Sequence, residues 1–220
     1  MTLLIFDCDG VLVDSELESN RILAAALTAW GHPIDTKTSI TRYAGMSMQS
    51  LVAHVEAETG RQLPPDFVHR HRSEVSRVFD TTLRAIAGVA EVLAGHDGRR
   101  CVASSSAPQR IERSLRTTGL IDYFPSDALF SATMVARGKP APDLFLYAAD
   151  RMGVAPSDCI IIEDSLPGVQ AAVAAGIPVL GFTGGGHILD GHDEKLRASG
   201  ATEIFGDMAL LPGLLARYLP

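Results

Sequence analysis

Two hundred and twenty residues, 46% apolar and 20% charged, describe an ordinary globular chain with material for a sizeable core, which excludes long disorder, collagen and coiled coil. A formal net charge of −7 gives no general attraction to nucleic acid or to an anionic membrane, so neither is expected as a partner. Three scattered cysteines (Cys8, Cys101, Cys159) suit neither a disulfide framework nor a Cys-based zinc site, and each is expected as a buried, reduced thiol.

The N-terminus reaches an acid within its first seven residues and has no basic region, so it is not read as a signal peptide. The longest apolar stretch, residues 171–182, is too short to span a bilayer and contains Gly176 and Pro178. A cytoplasmic protein is expected. Residues 2–6 form an apolar run that stops at acids, as a buried parallel strand does at its carboxyl end. From about Glu16 to Arg84 no such run occurs, and three helical stretches (17–30, 48–59 and 66–83) are expected instead. The strand-like shape returns at 101–103, at 159–162 and at 178–182. Between these runs, Ser106 and Pro108 signal a helix start, Pro142 opens a second helix that stops at Gly153, and Ser165 caps a third that ends at Gly176. Strands alternating with helices mean an α/β fold with a parallel sheet and helices on both faces. Residues 1–15 and 85–220 are assigned to that core and residues 16–84 to a small inserted α-helical domain.

Ligands of open α/β sheets sit at the carboxyl ends of strands, so the residues there carry the functional information. After the first strand, Asp7 and Asp9 share a side and Gly10 permits a sharp turn. Such a pair suits metal binding or a nucleophile with an acid/base partner. An EF-hand is excluded, because its third acid and its glycine would fall on Val11 and Leu12. Ser104, Ser105 and Ser106 form a hydroxyl-bearing loop entering a helix N-terminus, where an anion finds hydroxyls and free backbone N–H groups. Lys139 stands in a turn made rigid by Gly138, Pro140 and Pro142. Glu163 and Asp164 follow an all-aliphatic run and are expected at its exposed tip, available to a cation. The glycines at 184–186 are read as a loop rimming the site, and His187 and His192 as surface residues.

In this order the motifs Asp7-x-Asp9-Gly10, Ser104, Lys139-Pro140 and Glu163-Asp164-Ser165 resemble the haloacid dehalogenase superfamily, over nearly the whole chain. The helical insert and the Lys-Pro-x-Pro-Asp wording are similar to its β-phosphoglucomutase-like branch, and residues 6–16 and 123–143 to its 6-phosphogluconate phosphatase-like sugar-phosphate phosphatases. The resemblance implies a Rossmannoid core with a helical cap, and a cytoplasmic, monomeric phosphatase for a small sugar, sugar-acid or polyol phosphate. It implies Asp7 as nucleophile, Asp9 as acid and base, and Ser104, Ser105 and Lys139 on the phosphoryl oxygens. Mg²⁺ would be held by Asp7, the Asp9 backbone carbonyl, Glu163 and Asp164. Four carboxylates and a phosphate dianion facing one lysine repel strongly, and a divalent ion relieves this. The cap is expected to move as a lid, with Arg72 reaching the substrate's far, anionic end.

The alternative is a β-phosphoglucomutase-type phosphomutase. The histidine and cap arginine of that branch fall on Ser19 and Met48, neither of which can do the original job, so water is the expected acceptor. A 2-haloacid dehalogenase needs neither Asp9 nor an acid pair, and a receiver domain leaves the insert unexplained.

Overall fold

The computed structural model describes residues 2–218. Six strands are formed, β1 (Leu3–Phe6), β2 (Arg99–Ser104), β3 (Leu129–Ser131), β4 (Cys159–Glu163), β5 (Val179–Phe182) and β6 (Glu203–Phe205). They make one sheet in the order β3-β2-β1-β4-β5-β6, with every neighbouring pair parallel. β1 is a central strand covered on both faces, which is why its four residues are all apolar and fully buried. Its side chains alternate between two cores, Leu4 and Phe6 into one, Leu3 and Ile5 into the other.

Ten α-helices are present among the described residues. Four lie between β1 and β2 as an insert: α1 (Glu16–Trp30), α2 (Thr36–Tyr43), α3 (Met48–Thr59) and α4 (Phe67–Thr82). The rest are α5 (Val89–Ala94), α6 (Pro108–Thr117), α7 (Asp143–Arg151), α8 (Leu166–Ala174), α9 (His192–Ala198) and α10 (Leu211–Leu215). Apolar residues of α5, α6 and α10 fill the core on one face of the sheet, and those of α7, α8 and α9 fill the other. The insert has its own apolar cluster around Leu23, Leu27, Leu51, Val55 and Phe67. From it, Ile22, Val75 and Phe79 reach into the first sheet core, so the insert is packed against the sheet domain as well as on itself. No helix among the described residues is long and apolar enough to cross a membrane. Cys8, Cys101 and Cys159 are free and buried, as expected.

The insert contains four helices where three were expected. The additional one, α2, has the sequence TKTSITRY and buries only Ser39 and Tyr43, so no apolar stripe announces it. It starts because the Asp35 carboxylate accepts the Thr38 N–H at 2.7 Å, and it is tied to α1 by the Ser39 hydroxyl on Asn20 at 2.8 Å. β3 and β6 were also not foreseen; both are three-residue edge strands, too short for a pattern to show. The strand order reverses between β1 and β4, and at that switch point the chain crossings leave a crevice above the carboxyl ends.

Candidate active site

Asp7 and Asp164 leave the two strands that flank this crevice. The Asp7 N–H still donates to Ile162 at 2.9 Å, so its carboxylate stands at the end of the β1–β4 ladder. The Lys139 ammonium lies 2.6 Å from Asp7 Oδ1 and 2.7 Å from Glu163 Oε2, with its side chain only 1% exposed. The other oxygen of Glu163 accepts from the Asp164 N–H, the Ser165 N–H and the Ser165 hydroxyl at 3.2, 2.9 and 2.7 Å. Glu163 and Asp164 are therefore buried and not at an exposed tip. The cost of burying Glu163 is offset by Lys139, 24 residues away in sequence, and by the first turn after β4. The space for this carboxylate requires Gly168, where a Cβ would fall 2.0 Å from Glu163 Cδ.

Asp164 has a different environment. Its Oδ2 meets His187 Nε2 at 2.9 Å, its backbone carbonyl meets His192 Nε2 at 2.6 Å, and its buried Oδ1 has no hydrogen-bond partner among the described residues. His187 is buried and His192 half-buried, which corrects their expected place at the surface. Of the glycine loop, the Gly186 N–H donates to Asp14 at 3.1 Å, and the next residue, His187, lines the cavity and meets Asp164; the three glycines themselves do not line it. Burial alone would lower the His187 pKa, but the Asp164 hydrogen bond and charge outweigh it and raise it. Gly10, at φ +90°, lets the chain pass so close that a Cβ would lie 1.9 Å from Asp164 Oδ2.

Asp7, Glu163 and Asp164 each offer an oxygen within 4.8 Å of the others. Burial pushes the Asp7 carboxyl well above its ordinary range; Lys139 opposes this, and the Glu163 and Asp164 charges add to it. Three carboxylates against one ammonium, an all-oxygen donor set and the unpartnered Asp164 Oδ1 fit a hard divalent cation such as Mg²⁺.

The Asp9 carboxylate lines the same cavity as Asp7 but makes its own set of contacts. It accepts from the Ser15 and Ser106 hydroxyls, both at 2.6 Å, and from Arg110 Nη2 at 2.8 Å. Burial would raise its pKa, yet Arg110 and the two hydroxyls hold it below the ordinary value. Ser106 is consequently not the N-cap of α6; that position is Ala107, with no side-chain cap. Arg110 was missed by sequence reasoning. Its one signal is a cation in the first turn of a helix, where the helix dipole disfavours positive charge. Arg110 also lies over the Phe79 ring of α4, 5.2 Å from its centroid, and so connects Asp9 to the insert.

Of the serine loop, Ser104 is buried and accepts the Ser106 N–H at 3.1 Å, while the Ser105 hydroxyl donates to the Gly45 carbonyl at 3.3 Å. Gly45, at φ +77°, brings the insert so near that a Cβ would meet Ser165 Cβ at 2.5 Å. Insert and core thus enclose a cavity of about 890 Å³, lined by Asp7, Ser104 and Lys139 below and by Met48, His71 and Arg72 above. Arg72 is exposed and makes no ion pair among the described residues. Ser19 and Met48, the two positions that distinguish the mutase branch, both line this cavity.

A family model described as haloacid dehalogenase-like hydrolase matches residues 1–176. The chain is 34% identical over 183 residues to a 6-phosphogluconate phosphatase of Escherichia coli strain K12, covering 83% of this chain and 82% of that one. It is 33% identical over 176 residues to a fructose-1-phosphate phosphatase of the same organism, with 79% and 92% covered. A crystal structure of a conserved haloacid dehalogenase-like protein of unknown function from Agrobacterium tumefaciens superposes with a TM-score of 0.85 at 34% identity, covering 99% of both chains. With the four motifs converging on one crevice of a parallel sheet, the chain belongs to the haloacid dehalogenase-like hydrolases.

Proposed function

We propose that this protein is a Mg²⁺-dependent phosphomonoesterase that cleaves a small sugar, sugar-acid or polyol phosphate by way of an aspartyl phosphate on Asp7. The observation that carries this is the buried cluster of Asp7, Lys139 and Asp164 at the switch point, opening into a cavity of the size that small metabolites fill. The names of the two Escherichia coli relatives support the substrate class, one a phosphorylated sugar acid and the other a phosphorylated ketose. We take residues 16–84 as a cap over the site, in keeping with the Gly45 contacts to Ser105 and Ser165.

In the first half-reaction an Asp7 oxygen attacks phosphorus, the ester P–O bond breaks, and the leaving alkoxide takes a proton from Asp9. In the second, water attacks the phosphorus of the aspartyl phosphate and gives a proton to Asp9, releasing inorganic phosphate and the Asp7 carboxylate. Arg110, Ser15 and Ser106 keep Asp9 ionised, the form the second half needs; to act first as an acid it must leave these donors and take up a proton. Lys139 and Ser104 hold phosphoryl oxygens, with Ser105 at the cap side of the same loop. Asp7, Asp164 and the Asp9 backbone carbonyl would hold Mg²⁺, with Glu163 assisting, and the ion when bound supplies charge neutralisation for Asp7 and the phosphoryl group. Glu163, with both oxygens engaged, fixes Lys139 and the Asp164 amide.

The test is phosphate release from a panel of sugar, sugar-acid and polyol phosphates with Mg²⁺ and with a chelator. Metal-dependent hydrolysis of at least one member is expected. No release, or β-glucose 1-phosphate turning into glucose 6-phosphate faster than phosphate appears, overturns the reading.

A further inference from the structure

His71 is the buried polar side chain of the cap that nothing in the fold explains. It sits on the cavity side of α4 and is 5% exposed, yet neither ring nitrogen has a hydrogen-bond partner among the described residues. Its ring lies parallel to that of Phe67, with an interplanar angle of 12° and centroids 6.4 Å apart, so an apolar backing sets its plane. The Ser19 backbone carbonyl faces the ring closely enough to act against the lowering of its pKa, but neither nitrogen completes a hydrogen bond with it. Buried side-chain nitrogens of native proteins are nearly all paired, and an unpaired one is costly. A residue retained at that cost in the wall of a substrate cavity is accounted for when the substrate supplies the partner.

The chemistry of that partner follows from the ring. Burial first, and then the positive charge of Arg110 and Arg72, lower the His71 pKa to about 4, so the imidazole is neutral near pH 7. A neutral imidazole offers one donor and one acceptor. A carboxylate or a phosphate dianion can only accept and so could pair with the N–H alone, whereas a hydroxyl group both donates and accepts and can serve either ring nitrogen. On the reading of this site as a phosphatase, we infer that His71 is a specificity-determining residue that hydrogen-bonds a hydroxyl of the substrate's carbon chain. The position assigns the substrate to the polyhydroxylated phosphate esters and separates the neutral part of the molecule from the phosphoryl end at Asp7 and Lys139.

The test compares 6-phosphogluconate and fructose 1-phosphate with p-nitrophenyl phosphate, whose leaving group carries no free hydroxyl. His71→Phe keeps the stack on Phe67 and removes both nitrogens. It is expected to lower kcat/KM for the better hydroxylated substrate by about 5- to 150-fold, the range of one lost buried hydrogen bond, and to change p-nitrophenyl phosphate hydrolysis less than threefold. Its Tm is expected to equal or exceed that of the parent, because an unpaired buried polar group has been replaced by an apolar one. His71→Gln, which keeps a donor and an acceptor, is expected to recover part of the lost rate. Equal losses on all substrates, no loss on any, hydrolysis of p-nitrophenyl phosphate alone by the parent, or a lowered Tm marking a structural role for the ring would each overturn the inference. Failure of the phosphatase reading itself shows separately, as an absence of p-nitrophenyl phosphate hydrolysis by the parent.

Discussion

The substitution Lys139→Met probes the buried charge cluster most sharply. It replaces the one ammonium that touches both Asp7 and Glu163 by a side chain of similar length, in a pocket where all three groups are buried. Removing one member of a buried ion pair leaves uncompensated charge and typically costs about 3–5 kcal/mol. For a chain of this size that corresponds to a Tm about 6–20 °C lower. The sign of the pH dependence follows from Asp7, whose carboxyl is already raised by burial and loses the cation that opposed the rise. A carboxyl with a raised folded pKa binds protons in the native state before the unfolded chain does, so stability recovers as pH falls through that folded value. Urea unfolding of parent and variant at about pH 8 and about pH 5 measures both effects; the stability gap is expected to shrink by at least half at the lower pH. A gap of less than about 1 kcal/mol, or one equal at the two pH values, would refute the role given to Lys139.

Gly10→Ala places a methyl where Asp164 Oδ2 lies and forces a left-handed φ on a non-glycine residue. A strain of about 1–3 kcal/mol, a higher Mg²⁺ requirement and a roughly 10²-fold loss of kcat are expected; activity within threefold of the parent contradicts the placement. Arg110→Met removes the guanidinium that holds Asp9 low, so the acidic limb of the kcat–pH profile should move to higher pH and kcat should fall on the order of 10²-fold. An unmoved limb separates Arg110 from Asp9. His71 is held at about 4, against 6.5 unfolded, facing Arg110 and Arg72; its share of stability is complete above pH 6.5 and lost as pH falls towards 4. His71→Phe should therefore gain about 2 kcal/mol on the parent at about pH 5, and parallel stability–pH curves would count against the neutral imidazole.

The strands nearest the site were legible because a strand covered on both faces must be apolar throughout, and β1 and β4 end abruptly at Asp7 and Glu163. The helix starts at Pro108, Pro142 and Ser165 were legible because caps and first-turn prolines are local chemistry. What escaped has long-range causes. Glu163 and Asp164 were expected in solvent because their compensating partners, Lys139 and His187, are 24 and 23 residues away. Ser106 looked like a cap because nothing local reveals Asp9, 97 residues earlier, as its acceptor. His71 carried no pattern at all, since its meaning lies in having no protein partner. α2 was hidden for another reason: a helix that buries a serine and a tyrosine has no apolar period to detect.

The central claim, a covalent phosphoryl group on Asp7, is open to chemical trapping. Borohydride reduces an acyl phosphate, so quenching the enzyme with it during turnover of its best substrate would convert the phosphorylated aspartate to homoserine. Peptide mass spectrometry is expected to find homoserine at position 7, only in the presence of both substrate and Mg²⁺, and none in Asp7→Asn. Homoserine at Asp9, or none at any position while phosphate is being released, would contradict it.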